Sequence, residues 1–479
     1  MPPVAPVIST LRGSTATRRG ITGLSCGNPF ALSSPPRPNP RAPLVGGRPV
    51  TLVAGHDFTR QQLDRKLHVL FLQGPSSFYM HEVARELVVR GHRVSRINLH
   101  LGDRLFWRLP ARDYRGGIDG WRSYVARFLD ADPITHLFLL GDRRPHHRIA
   151  IEEARARGAE IICSELGYLR PDWLVLERDG MGTYSRMPRD PALIRSLAQQ
   201  YPVPDLAVRC TTPFWRLAML DVIYNVAEVL SRPLYPGYRR HAIHHPFAEY
   251  AGWLRRWICG GGERRRTAQT LDALQRQEVP TFVLPLQLST DYQIRDHSRY
   301  PDMPTAAREI IASFAAHSPA PSRLVVKVHP LDPGLTPWPK VIGEVAAQLG
   351  VASRVHCVSS GDVVAMLRQA TGCVLVNSTV GLSALLVGCP LKVMGSAIFD
   401  VTGLSFAGEL DRFWEAPAAP DADLVGDFIR LLAGALHVRG GYYTREAVAM
   451  AVPATVHRLE TGLPWLPERA VDESWACRN

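Results

Sequence analysis

The chain has 479 residues, 46% of them hydrophobic and 21% charged, which are globular proportions at a length that normally divides into two or more domains. Its net charge of +12 points to anionic partners: a nucleotide, a phosphorylated substrate, an acidic polysaccharide or an anionic membrane face. No RNA-recognition, zinc-finger or helix-turn-helix signature accompanies the charge, so no nucleic-acid partner is expected.

The cysteines are scattered, without a C-x-x-C pair, and read as a reducing compartment rather than a disulfide framework. No apolar run approaches the roughly 18 residues of a spanning helix. The N-terminus has no compact apolar segment followed by a small-residue cleavage site. A cytoplasmic protein is expected, with a peripheral membrane position left open.

Residues 1–65 are rich in Pro, Arg, Gly and Ser and read as a disordered tail. Order is expected from "KLHVLFLQGPSSFYMHEVARELVVRGHRVSRINLH". An apolar strand, a turn, a helix stopped by Gly91 and a second strand form the opening of a parallel, doubly wound sheet. "THLFLLGD" and "AEIICSELGY" read as further strands, with a helix stopped at Gly158 between them. Residues from about 190 to 270 read as an irregular helical connection. Within it, "RRHAIHHPFAEYAGWLRRWICGGGERRR" interleaves arginines with Trp253, Leu254, Trp257 and Ile258. That pattern fits either a linker helix with an amphipathic face or a surface lying on anionic lipid.

A second α/β unit is expected from "VPTFVLPLQ", through "RLVVKVHP" and "RVHCVS", to "CVLVNSTVGLSALLVGCPLKVMG". The fold class expected is α/β and GT-B-like, with two Rossmann-type domains facing a cleft. The boundaries expected are 66–270 for the first domain with its helical insertion, 271–440 for the second, and 441–479 for a C-terminal helix and tail.

The candidate chemistry lies at strand exits. Gln73, Gly74, Pro75 and Ser76 follow the first strand, and Ser76 or Ser77 is placed to cap the next helix. Glu165 closes "EIICSE", where a carboxylate suits acid–base work; a salt bridge to Arg170 explains it equally well. Gln287 and Asp291 leave the strand "TFVLP", and Asp291 reads as either a nucleophile or a turn former. Lys327 and His329 share a strand face, with Pro330 ending the strand behind them. Asn377, Ser378 and Thr379 precede a helix expected from about Gly381. The D-x-D triplets Asp130/Asp132 and Asp421/Asp423 read as caps, and no metal site or cofactor motif is found.

In order and combination, "FLQGPSSFY", "ELGYLRPDW", "LPLQLSTDYQIRDHS", "KVHP" and "NSTVGLSALLVGCPLKVMGSAIFDVTGLSF" resemble the capsule polysaccharide proteins of the KpsS/LipB type, over roughly 66–440. The resemblance implies a retaining, metal-independent β-Kdo glycosyltransferase. It would use CMP-Kdo and a phosphatidylglycerol-type lipid acceptor at the inner-membrane face, beside other capsule assembly and export proteins. It makes 66–270 the acceptor domain and 271–440 the CMP-Kdo domain. Asp291 is then the nucleophile, Glu165 the acid–base or acceptor-side residue, and His329 the group at the CMP phosphate. Gln287, Lys327, Asn377, Ser378, Thr379, Gln73 and Ser76 become substrate-binding residues. Ser383 stands where more distant relatives carry Glu. The competing readings are a non-catalytic export factor that binds acidic polysaccharide, and another GT-B enzyme such as a sialyl-type transferase or a nucleotide-sugar epimerase.

Overall fold

A computed structural model describes residues 66–240, 244–276, 278–288, 294 and 296–468. The tail 1–65 and Asp291 lie outside the described residues.

The first domain runs β1 (His68–Phe71), α1 (Tyr79–Val89), β2 (Arg93–Asn98), β3 (Arg112–Asp113), α2 (Ile118–Ala131), β4 (His136–Leu140), α3 (Pro145–Ala156), β5 (Glu160–Leu166) and β6 (Trp173–Arg178). Strands covered on both faces need unbroken apolar runs, and β1 and β4 are buried at every residue. Gly91 (φ 81°) and Gly158 (φ 74°) sit just past the ends of α1 and α3, where a left-handed residue ends a helix.

A helical connection follows: α4 (Pro191–Ala198), α5 (Phe214–Leu230) and α6 (Pro246–Gln275). The second domain is β7 (Thr281–Pro285), α7 (Met303–His317), β8 (Arg323–Lys327), α8 (Trp338–Gln348), β9 (Val355–Val358), α9 (Val363–Gln369), β10 (Gly372–Leu375), α10 (Val380–Leu386) and β11 (Leu391–Val393). Its sheet is parallel throughout, in the order β11-β10-β7-β8-β9.

The chain then returns to the first domain through α11 (Ala422–Leu431), β12 (His437–Arg439) and α12 (Arg445–Thr461). The first sheet has the order β12-β6-β5-β4-β1-β2-β3, with β6 antiparallel to both β5 and β12. The return therefore begins before residue 440. α12 packs on α1 through a shared apolar cluster, and the Tyr79 and Thr455 hydroxyls meet at 2.7 Å. The other expected boundary, at 270, falls inside α6. That helix touches the first domain through Trp253 on Phe214 and the second through Arg255 and Arg256, which donate to the carbonyls of Gly334 and Asp332.

Phe78 is the N-cap residue of α1, and the Ser77 hydroxyl, one of the two expected caps, accepts from the Tyr79 N–H at 3.4 Å. Of the D-x-D residues, Asp421 does cap α11, accepting from Leu424 N–H at 3.0 Å. Asp132 is the C-cap residue of α2, and Asp130 and Asp132 also form ion pairs with Arg157 and Arg93.

Candidate active site

Each sheet has a point where the chain reverses its direction of winding, and the loops on either side of it part to leave a crevice at the carboxyl ends of the strands. In the second sheet that point lies between β7 and β10. The Asn377 N–H donates to Gln287 Oε1 at 2.8 Å, and Asn377 Nδ2 donates to the His297 carbonyl at 2.8 Å. Gln287 and Asn377 are both buried. Their amides thus latch the two exit loops together and hold the segment that follows β7. Ser378 Oγ accepts from Val380 N–H at 3.3 Å in the turn into α10, which starts at Val380 with Thr379 as N-cap.

The far end of the same segment is anchored across the domains. Asp296 pairs with Arg143 at 3.2 Å, and His297 Nδ1 lies 2.9 Å from the Thr183 hydroxyl. Asp291 belongs to this segment and lies outside the described residues.

Beside it, β8 ends at Lys327, and His329 follows two residues beyond the strand. Lys327 is buried and donates to the Val328 carbonyl at 2.9 Å. Burial, then the Arg256 charge, brings its ammonium down to about 8. His329 Nδ1 accepts from Leu331 N–H at 3.1 Å. A neutral imidazole whose Nδ1 accepts carries its proton on Nε2. Burial first, then Lys327, brings His329 down to about 4, so it is a neutral donor at pH 7.

Glu165 lies inside β5, at its carboxyl end, rather than after the strand. Its charge favours the charged form of Arg170, whose guanidinium is pushed down chiefly by burial. The same Arg170 acts on His329. Arg170 therefore stands within electrostatic reach of a first-domain carboxylate and a second-domain imidazole. Ser76 and Glu165 both stand near the Tyr443 hydroxyl, which burial pushes up. The Ser164 and Tyr442 hydroxyls meet at 2.7 Å beneath.

The switch point of the first sheet lies between β1 and β4. Buried Gln73 donates from Nε2 to the Tyr238 hydroxyl at 3.3 Å. The exit of β4 adds a group that is not among the expected site residues, at the end of the expected strand "THLFLLGD". Asp142 is buried and accepts from Met181 N–H at 3.3 Å; burial pushes its carboxyl up to about 6. Arg143 stacks over Tyr184 at 4.9 Å while holding Asp296. The signal that marked Glu165, charge directly after an apolar strand, was present here as well.

The protein-family model described as "capsule polysaccharide biosynthesis protein" matches residues 135–443. The chain is 32% identical to the capsule polysaccharide export protein KpsS of Escherichia coli, over 78% of this chain and 96% of that protein. It is 28% identical to the capsule polysaccharide modification protein LipB of Neisseria meningitidis serogroup A, over 80% of this chain and 93% of that one. Among solved structures it is similar to a Thermosulfurimonas dismutans KpsC described as a beta Kdo 2,7 transferase, with 13% identity and a TM-score of 0.40, over 81% of this chain and 99% of that one.

Proposed function

The chain belongs to the capsule polysaccharide biosynthesis family, and on that premise we propose that it is a glycosyltransferase that moves Kdo from CMP-Kdo to a phosphatidylglycerol-type lipid. The product would start the poly-Kdo linker of a capsular polysaccharide. The observation that supports the reading is the contact between the domains at their strand exits, where Arg143 pairs with Asp296 at 3.2 Å and His297 Nδ1 lies 2.9 Å from the Thr183 hydroxyl.

The proposed reaction is a double displacement that retains configuration. The Asp291 carboxylate forms a bond to the anomeric carbon as the bond to the CMP phosphate oxygen breaks, and its electron pair leaves with CMP. His329, neutral with its proton on Nε2, donates a hydrogen bond to the departing phosphate. Arg170 and Lys327 supply positive charge for a donor that carries a phosphodiester and a sugar carboxylate. An acceptor hydroxyl then gives its proton to Glu165, and its oxygen displaces the Asp291 carboxylate. CMP leaves as a stable anion, so the scheme needs neither a strong general acid nor a metal. Gln287 and Asn377 bind the substrate at the exits of β7 and β10, and Ser378 and Thr379 line the nucleotide side. Ser76 and Gln73 line the acceptor side.

A lipid acceptor is supported by α5 and α6. Trp215, Leu254, Trp257 and Ile258 are 62%, 56%, 64% and 66% exposed, and Arg264, Arg265 and Arg266 are exposed beyond them. Aromatic and aliphatic groups edged with arginine suit an anionic bilayer face. Among the described residues no helix is long and apolar enough to cross a membrane. The proposed location is peripheral, on the inner-membrane face, beside the capsule assembly and export machinery.

The test is purified protein with CMP-Kdo and short-chain phosphatidylglycerol, read by mass spectrometry. The expected product is a lipid heavier by one Kdo, absent with Asp291→Asn. The net charge and the relative's name also fit a non-catalytic export factor. Binding of acidic glycan with no product from CMP-Kdo would establish that reading instead.

A further inference from the structure

Around the switch point of the first sheet, hydrogen-bond donors outnumber acceptors. His100 is fully buried, and its Nδ1 accepts from Gly102 N–H at 3.0 Å. Its proton is therefore on Nε2, which has no hydrogen-bond partner; the nearest carboxylate oxygen, on Asp103, is 3.8 Å away. Arg144 Nη1, and Arg240 Nε and Nη1, are likewise buried without a hydrogen-bond partner. Arg240 Nη2 reaches Asn225 at 2.8 Å, while Glu228 stands 3.6 Å from its Nη1. Tyr238 sits among these groups. It accepts from Gln73, lies 4.7 Å from the His100 ring and stacks on His146 at 5.8 Å, and its hydroxyl keeps a proton to donate.

The carboxylates nearby do not meet this demand. Asp103 is already engaged by Leu99 N–H at 2.9 Å and the Tyr224 hydroxyl at 2.8 Å. Arg96, Arg144, Arg232 and Arg240 stand among Asp103, Asp221, Glu228 and Glu249, so what is left unmet is the hydrogen bonding of His100 Nε2 and of the Arg144 and Arg240 guanidiniums. A buried donor without a partner costs free energy, and guanidiniums left so are matched by an anion rich in acceptor oxygens. The position is the crevice where open α/β sheets bind ligands. α3 starts there, and the dipole of its first turn favours negative charge. Arg144, Tyr238 and Arg240 are partly exposed, so the crevice is open to solvent.

We propose that this crevice is a phosphate-ester subsite, formed by Arg144, Arg240, His100 and Tyr238, that takes the phosphate of the acceptor's headgroup. The assignment to the acceptor rests on the lipid-transfer reading above. The phosphate chemistry does not. The same groups would accept inorganic phosphate, and the test separates the two sources.

Binding of inorganic phosphate, glycerol phosphate and short-chain phosphatidylglycerol is measured by titration calorimetry on the full chain. Glycerol phosphate and the lipid are expected to bind at least about tenfold more tightly than inorganic phosphate. Arg144→Gln and Arg240→Gln are each expected to weaken them by roughly tenfold, the scale of one charge-assisted hydrogen bond. Arg144→Lys keeps the charge and the packed stem and is expected to lose less than Arg144→Gln, which guards against a variant that merely misfolds. Equal affinity for inorganic phosphate and the esters would overturn the headgroup assignment. Wild-type affinity in Arg144→Gln and Arg240→Gln, or no binding of any probe, would overturn the subsite. A chain that binds glycerol phosphate through Arg144 and Arg240 yet transfers no Kdo would refute the transferase reading and leave the subsite standing.

Discussion

The two switch-point crevices are built from similar residue types and are left in opposite states. In the second sheet Gln287 and Asn377 join the loops on either side to each other and to His297. In the first sheet His100, Arg144 and Arg240 keep buried donors without hydrogen-bond partners. A polar group at a strand exit can therefore be a latch or a receptor, and its hydrogen-bond partners tell the two apart. The second crevice is closed by bonds between its own strand exits. The first is arranged for something the chain does not itself supply.

The sharpest break of that comparison is removal of the proposed nucleophile. Asp291→Asn is expected to lower Kdo transfer by on the order of 10⁴-fold, with the melting temperature unchanged, measured as initial rate by mass spectrometry. Opening the latch is the next largest effect. Gln287→Ala leaves the buried Asn377 N–H without its acceptor, and a loss of about 1–3 kcal/mol in denaturant unfolding is expected. Transfer is expected to fall with it, because the exits of β7 and β10 lose the bond that joins them. Unchanged stability in this variant would show that the second crevice is no more closed than the first.

Access to the first crevice supplies a weaker handle. Trp257→Ala with Ile258→Ser is expected to reduce binding to phosphatidylglycerol vesicles by roughly tenfold in cosedimentation, because each exposed side chain contributes its apolar area only when it is inserted. The melting temperature should stay the same, since both residues are exposed in the folded chain. Equal vesicle binding would remove α6 from the membrane face.

The smallest effect is the pH dependence of the interdomain anchor. Burial holds His297 down to about 3, whereas the unfolded chain takes up the proton near 6.5. The unfolded state then binds more protons, so the contribution is complete above about 6.5 and is lost as the pH falls. Asp142, pushed up to about 6, acts in the opposite sense, and its contribution is lost as the pH rises through that value. His297→Gln is expected to flatten the fall in melting temperature between pH 7 and pH 5. An unchanged slope would mean that His297 is protonated in the fold.

Much of this could be read locally. The βαβ order of both domains follows from apolar runs separated by helical periodicity, because parallel strands are covered on both faces. Gly91 and Gly158 mark helix ends for a reason contained in their own backbone. The exits bearing Glu165, Gln287, His329 and Asn377 were legible because charge or amide follows an apolar strand in each. The β4 exit with Asp142, Arg143 and Arg144 carried the same mark and was passed over in favour of the helix beginning at Pro145. β6 and β12 were not recognised as strands: β6 runs against its neighbour, and β12 has three residues, too few to show a period.

The sequence by itself thus determined the elements and the polar character of their ends, since both depend on neighbours within a few residues. Only the tertiary structure decided which polar ends meet. Gln287 finds Asn377 ninety residues on, and Arg170 stands near both Glu165 and His329. The tertiary structure also decided that β12 closes the first sheet. Whether a buried polar group is a latch or a waiting donor depends on a partner far away in the chain, and no local pattern contains it.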